Sequence, residues 1–220
     1  MTQQQTSEFE NTVRMNEITI TKILVAINIV VFLVLEVLGD TTDGQFLYEH
    51  GGMWTMDILE GKGYYRLLTS CFLHAGIGHL FSNMVSLYFL GDVLEKGIGK
   101  FRFSIVYLGA GILGNLVSMA WEIHTNAFAV GVGASGAIFG IMGGLIFEVI
   151  RNKGQYYYVT IRRLLFYVIL CLYTGFTSSG IDNFAHIGGL IAGFLLTAVI
   201  DFRRRKPLRK QVDGYDATGN

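Results

Sequence analysis

Long apolar runs recur along this chain of 220 residues and constrain its fold more than any other feature. An α-helix needs about 20 mostly apolar residues to cross the hydrocarbon core of a bilayer, which is about 30 Å thick. Six runs approach this length: Thr21–Leu38, Ile77–Leu94, Phe103–Ile123, Ser135–Ile150, Leu164–Phe176 and Asn183–Phe202. The fourth and fifth runs are short and need their flanking residues to span fully. The sequence therefore predicts an all-α membrane protein, a bundle of six spanning helices.

The composition indicates one membrane domain without a separate soluble domain, since 51% of the residues are hydrophobic and only 15% are charged. We expect this domain at residues 21–202, between a polar N-terminal tail, 1–20, and a basic C-terminal tail, 203–220. No small-residue cleavage pattern follows the first run, which favours an uncleaved first helix over a signal peptide. The two cysteines, Cys71 and Cys171, are too few for a disulfide framework and lack the spacing of metal ligands.

The distribution of Lys and Arg predicts the orientation. In a six-helix arrangement, 15 of the 17 Lys and Arg residues fall on one side of the membrane, and only Lys62 and Arg66 fall on the other. The positive-inside rule then places both termini in the cytoplasm, and we expect the plasma membrane. The longest loop, Gly39–Arg66, becomes external, and its mixture of aromatic and charged residues is typical of a segment at the membrane interface. A formal net charge of zero gives no basic surplus, so we expect no nucleic-acid partner.

The unusual polar residues of the spans lie at one depth. The second, fourth and sixth spans run from outside to inside, and their outer ends carry five such residues: His74, His79, Asn83, Ser135 and His186. Ionisable side chains are costly in a membrane and usually face a cavity or a partner. Taken singly, they have ordinary explanations. Ser135 can be a small residue at a helix contact, His186 can bond to a neighbouring backbone carbonyl, and His79 and Asn83 can form interhelical hydrogen bonds. Their common depth favours a functional site.

Two stripes of small residues predict which helices touch. The fourth span carries a small residue every fourth position, and so does the sixth. The stripes are Gly136, Gly140 and Gly144 in the fourth span, and Ala185, Gly189 and Gly193 in the sixth. Such stripes let helix backbones pack very closely. Ser135 precedes the first stripe by one residue and His186 follows Ala185 by one, so we expect the two side chains to lie beside the contact and close together.

A serine beside a histidine is the arrangement in which an imidazole base activates a hydroxyl nucleophile. If the fourth helix begins near Ser135, its first amide groups have no intrahelical partner and suit an oxyanion. The side chains of His79 and Asn83 add two further donors. Gly133 leaves the backbone before Ser135 open, and Phe139, one turn below Ser135, is placed to stack on the imidazole, although a plain core phenylalanine fits its position equally.

A metal site is the alternative use of the histidines, with His74, His79 and His186 as imidazole ligands. No carboxylate or cysteine accompanies them at that depth except Asp182, and the HExxH pattern is absent. We therefore expect neither a metal nor another cofactor.

Three motifs, in this order and in these spans, resemble the rhomboid family of intramembrane serine proteases. They are "HAGIGHLFSN" with its H-x4-H-x3-N spacing, "GASG" at 133–136, and "AHIGGLIAG" at 185–193. The resemblance implies a rhomboid-type six-helix bundle that cuts single-span membrane proteins near the outer face. It implies Ser135 as nucleophile and His186 as general base in a dyad without an acid.

The same resemblance implies roles for the neighbouring residues. His79, Asn83 and the Ser135 amide match the residues that stabilise the oxyanion, and His74 matches a supporting histidine. Glu95 matches a glutamate that ties helix ends together. The chain departs from the family in two places: the Trp/Arg pair of the first external loop is Tyr65 and Arg66, and Phe139 stands where some members have a tyrosine.

Two other functions remain open from the sequence. A catalytically silent relative would bind membrane proteins without cutting them, although the presence of both Ser135 and His186 argues against it. A channel or carrier would need polar residues deeper in the spans, where the sequence offers little apart from Glu36 and Glu148 towards span ends.

Overall fold

The computed structural model describes residues 18–178 and 180–201. The predicted C-terminal tail, and the predicted N-terminal tail apart from residues 18–20, lie outside the described residues. Within the described residues there are nine α-helices, one 3₁₀ turn and one short hairpin. The helices are α1 (Ile20–Leu38), α2 (Gly44–Glu49), α3 (Thr55–Leu59), α4 (Arg66–Thr69), α5 (Ile77–Ile98), α6 (Lys100–Thr125), α7 (Ser135–Arg151), α8 (Ile161–Thr177) and α9 (Asn183–Asp201).

The remaining elements are short connections. The 3₁₀ turn, Ser70–Phe72, follows α4. The hairpin joins α7 to α8 and consists of β1 (Gln155–Tyr156) and β2 (Val159–Thr160), which pair antiparallel.

Each of the six apolar runs lies on one of the long helices α1, α5, α6, α7, α8 and α9, apart from Phe202 of the sixth run, which is outside the described residues. Four of these helices are long and apolar enough to cross a membrane, namely α1, α5, α6 and α9. The other two, α7 and α8, have 17 residues each. The prediction of an all-α membrane bundle is therefore confirmed, while the count of six spans stays a prediction.

Helix α7 is the centre of the bundle. Its ten consecutive residues 136–145 are all buried, and α5, α6, α8 and α9 surround it. Over these residues α7 contacts protein rather than lipid.

The contact between α7 and α9 is backbone against backbone. A Cβ atom added to Gly189 would overlap the carbonyl oxygen of Gly136, and one added to Gly193 would overlap that of Gly140. The two predicted stripes of small residues thus face each other. Helix α6 joins the same contact, because Ala110 fills the space in front of Gly140.

Glu95 fixes the first helix against α5. Its carboxylate accepts hydrogen bonds from the backbone N–H groups of Ile20 (2.8 Å) and Thr21 (2.7 Å) and from the Thr21 hydroxyl (2.7 Å). These N–H groups belong to the first turn of α1 and have no acceptor inside that helix. Much of the remaining surface of α1 is apolar and exposed, with Val37 86% and Val30 58% accessible, as expected of a face against lipid.

The first loop folds around Arg66. The guanidinium donates to the carbonyl oxygens of Tyr48 and Gly52, lies 3.3 Å from the Asp57 carboxylate and stacks 4.4 Å above the Tyr48 ring. Tyr65 is 59% exposed, and its ring centroid is 5.4 Å from the guanidinium. The loop therefore holds a buried cation at its centre.

The glycine contact predicts a large difference between two Gly→Ala variants. In Gly193→Ala the added methyl group meets the backbone of α7, which cannot yield locally, so we expect the free energy of unfolding to fall by about 3 kcal/mol. In Gly78→Ala the methyl group meets open space on α5, and an unchanged or slightly higher stability is expected because alanine favours helices. Unfolding of both purified variants in mixed micelles measures the difference; equal stabilities would contradict the contact.

Candidate functional site

Ser135 is the first residue of α7, and the loop before it explains why. Gly133 has a φ of +126°, a backbone conformation that side chains rarely adopt, and its N–H donates to the Ser70 carbonyl at 2.9 Å. Helix α7 has no side-chain cap at Ala134, and the first helical hydrogen bond is donated by Ile138. The N–H groups of the first turn are consequently left without an intrahelical acceptor at the positive end of the helix dipole.

The loop before α7 is also paired with the first loop. Met53 and Gly131 exchange two backbone hydrogen bonds, of 2.8 and 2.9 Å. The approach to Ser135 is therefore held in place by chain segments about 80 residues apart in sequence.

His186 lies in the first turn of α9 and is 7% exposed. Its ring stacks on Phe139, with centroids 4.3 Å apart and planes 9° apart. Phe139 therefore makes the ring contact expected from its position one turn below Ser135. The His186 Nδ1 atom is buried and has no hydrogen-bond partner among the described residues, so no acid orients the ring there.

Asp182 sets the start of the helix that carries His186. One carboxylate oxygen accepts from the Ala185 N–H at 2.9 Å, as a helix N-cap does, and the other accepts from the Ser118 hydroxyl of α6. The Asp182 carbonyl accepts the His186 N–H at 3.2 Å. Ser118 and Asp182 thus fix the first turn of α9.

Ser135 and His186 lie at the same end of the α7–α9 contact, each in the first turn of its helix. A Cβ on Gly136, the neighbour of Ser135, would lie 3.5 Å from the carbonyl oxygen of Ala185, the neighbour of His186. The contacts of the described residues include no hydrogen bond between Ser135 Oγ and the His186 ring. Such bonds are often long in a free enzyme and tighten when substrate is present.

His79 and Asn83 approach from α5. A Cβ on Gly133 would lie 2.8 Å from His79 Nε2 and 3.6 Å from Ser135 Oγ, so the imidazole faces the loop that leads to the serine. The Ala75 N–H donates to His79 Nδ1 at 3.4 Å, which leaves the proton of the neutral ring on Nε2. The Asn83 Nδ2 atom is buried without an acceptor among the described residues. His79 Nε2 and Asn83 Nδ2 are therefore both available to donate a hydrogen bond to a substrate.

His74 packs behind His79. The two rings meet edge to face with centroids 5.2 Å apart, and His74 is 1% exposed. Its position suits a residue that orients the His79 ring.

The alternative from the sequence was a metal site with His74, His79 and His186 as ligands. The described residues contain no group of three His, Cys, Asp or Glu side chains placed to hold a metal ion. Asp182, the carboxylate that the sequence places at this depth, is engaged by Ser118 and by the Ala185 N–H.

Sequence reasoning missed the roles of Ser118, Asp182 and Met53. Asp182 carried a usable signal, because an aspartate three residues before a helical N–H is a typical N-cap. The local sequence around Ser118 and Met53 gave no such signal, since their partners are 64 and 78 residues away along the chain.

These features indicate the class of protein. It is an integral membrane protein whose helix bundle brings one serine, two histidines and one asparagine together at one end, namely Ser135, His79, His186 and Asn83. A model of the Rhomboid domain matches residues 61–203, which include all of these side chains. This chain belongs to the rhomboid family, and the resemblance found in its sequence is confirmed.

Individual relatives agree with this assignment. "Rhomboid protease GluP" of Bacillus subtilis is 36% identical over 182 residues, which are 83% of this chain and 35% of that protein. "Putative rhomboid protease YdcA" of the same organism is 39% identical over 161 residues, 72% of this chain and 73% of the relative. "RHOMBOID-like protein 4" of Arabidopsis thaliana is 39% identical over 155 residues, 70% and 38% respectively. The chain thus spans little more than a third of the length of the first and third relatives.

Proposed function

We propose that this chain is an intramembrane serine endopeptidase with Ser135 as nucleophile and His186 as general base. The observation that carries the proposal is the placement of Ser135 at the uncapped start of α7, across the glycine contact from a buried imidazole stacked on Phe139. The names of the two Bacillus relatives support the protease class.

The reaction begins when His186 accepts the Ser135 proton and Oγ attacks the carbonyl carbon of a substrate peptide bond. The developing oxyanion receives hydrogen bonds from the Ser135 N–H, His79 Nε2 and Asn83 Nδ2. His186 then donates its proton to the departing amine, which leaves an acyl group on Ser135. A water molecule, deprotonated by His186, releases that acyl group and restores the serine.

His186 works without an acid in this scheme. The stack on Phe139 and the fixed first turn of α9 hold the ring in one orientation, which is the positioning task that an aspartate performs in a catalytic triad.

The substrates in this proposal are transmembrane segments of single-span membrane proteins. A peptide bond within a helix is shielded by its neighbours, so the segment must unwind before Ser135 can attack it. Backbone groups freed in lipid are costly unless protein or water satisfies them, which favours cleavage near the outer face and at helix-breaking residues.

The orientation follows from the loop charges. We place six spans across the plasma membrane, with both termini in the cytoplasm and the loop around Arg66 outside. Helices α7 and α8 cross with help from their flanks, and 17 residues is at the lower limit for a span.

Thiol labelling in intact cells tests this orientation. In a chain with Cys71 and Cys171 replaced by alanine, we expect a membrane-impermeant maleimide to label Glu49→Cys and to leave Lys100→Cys unlabelled until the cells are lysed. Both positions are exposed, so accessibility to the reagent reports the side of the membrane. Labelling of Lys100→Cys in intact cells would reverse the proposed topology.

Loss of either proposed catalytic group should stop cleavage. In liposomes with a labelled single-span substrate, Ser135→Ala and His186→Ala are each expected to lower kcat by about 10⁴-fold or more, because nucleophile and base act as one unit. Ser135 should also react with a fluorophosphonate probe, which forms a bond to Oγ as fluoride leaves.

Matched controls for these variants are Ser104→Ala and His124→Ala, which remove a partly buried serine and an exposed histidine on α6. Both should keep full turnover. Cleavage retained in Ser135→Ala would refute the assignment, and a protein that neither cuts nor reacts with the probe would support the catalytically silent alternative.

The two side-chain donors on α5 should act in the transition state. Asn83→Ala and His79→Ala are each expected to lower kcat by about 10²–10³-fold with a small change in KM, the usual effect of removing one oxyanion donor. Ser82→Ala, which removes an exposed hydroxyl next to Asn83, serves as the control. A loss confined to KM would instead indicate a substrate-binding role.

A further inference from the structure

A cavity of about 640 Å³ lies at the opposite end of the bundle from Ser135, where the hairpin meets the start of α8. Its lining includes Gly154, Tyr158, Thr160, Arg162 and Arg163. The side of Gly154 is open, since a Cβ there would meet nothing within 4 Å. The site proposed for proteolysis uses none of these residues.

The charge in this cavity is uncompensated. Arg162 and Arg163 are both exposed, and neither forms an ion pair or a hydrogen bond with the described residues. Each guanidinium is planar and offers several donors, an arrangement that suits the oxygens of a phosphate. The Tyr158 hydroxyl adds a further donor, and this ring, 62% exposed, suits the headgroup level of a membrane. The cavity is therefore complementary to an anion.

An exposed stripe of apolar side chains continues from the cavity along α8. Phe166, Ile169, Tyr173 and Phe176 follow Arg162 at helical spacing on one face, and each is 63% to 68% exposed. The buried side of the same helix is formed by Leu164, Val168 and Gly175. Acyl chains that extend from an anion held at Arg162 would lie directly on this stripe.

We propose that this cavity binds the phosphate headgroup of an anionic phospholipid, with its acyl chains along the exposed stripe of α8. The phosphate accepts hydrogen bonds from Arg162, Arg163 and the Tyr158 hydroxyl. The stripe selects a lipid over free phosphate, because only a lipid covers it, and the two arginine charges in the lining select an anionic headgroup over a zwitterionic one. The site stands independently of the proposed protease activity.

Thermal unfolding of the full chain in detergent, titrated with dioctanoyl-phosphatidylglycerol, tests the proposal. We expect the unfolding midpoint to rise by several degrees with this lipid and to stay constant with dioctanoyl-phosphatidylcholine or with inorganic phosphate at equal concentration. An equal rise with phosphatidylcholine would show binding by chains alone, and an equal rise with phosphate would show a simple anion site; either result overturns the proposal.

Variants locate the effect. Arg162→Gln and Arg163→Gln should each weaken phosphatidylglycerol binding by about tenfold, and the double variant should abolish the shift. Lys100→Gln removes one exposed charge outside the cavity lining and should bind like the original chain. An unchanged shift in the double variant, or an equal loss in Lys100→Gln, would overturn the assignment. The lipid-free unfolding midpoint reports whether each variant folds.

Discussion

The closest part of the contact between α7 and α9 is made by backbone atoms, because the carbonyl groups of Gly136 and Gly140 face the α-carbons of Gly189 and Gly193. In a bilayer, lipid tails are as apolar as leucine, so close van der Waals packing of backbones replaces the hydrophobic effect as the attraction between helices. This contact fixes the relative depth of the two helices within a fraction of a residue. The positions of Ser135 and His186 follow from it, since each lies one residue from the first pair of small residues.

Some buried polar groups of the bundle have a partner for each of their oxygens, and others have a buried atom without one in the described part of the chain. Glu122 is fully engaged by Thr55 and by the Ala129 N–H, and in the same way Asp182 uses both of its oxygens. Asn83 and His186 each have a buried nitrogen without a partner among the described residues, and so do Tyr107 and Thr197 with their hydroxyl groups. At the site, two such nitrogens lie near the first turn of α7, whose N–H groups have no acceptor inside the helix. A buried donor without an acceptor costs free energy, which a fold retains most readily where a ligand supplies the acceptor.

Local patterns predicted the parts of this structure that have a local cause. Apolar runs predicted all six long helices, and the four-residue repeat of small residues predicted that α7 and α9 touch. The position of Phe139 relative to Ser135 indicated the ring contact with His186. The three short helices of the first loop and the Met53–Gly131 bridge were not predictable, because they depend on partners far away in the sequence.

The Glu95 carboxylate that holds the first turn of α1 comes 74 residues after Thr21 in the chain. During synthesis, the first helix is therefore made before Glu95, and the hydrogen bonds from the Ile20 and Thr21 amides to this carboxylate form only after α5 has been made. Assembly of the bundle is ordered by this bond: α1 docks late, onto a helix made after it.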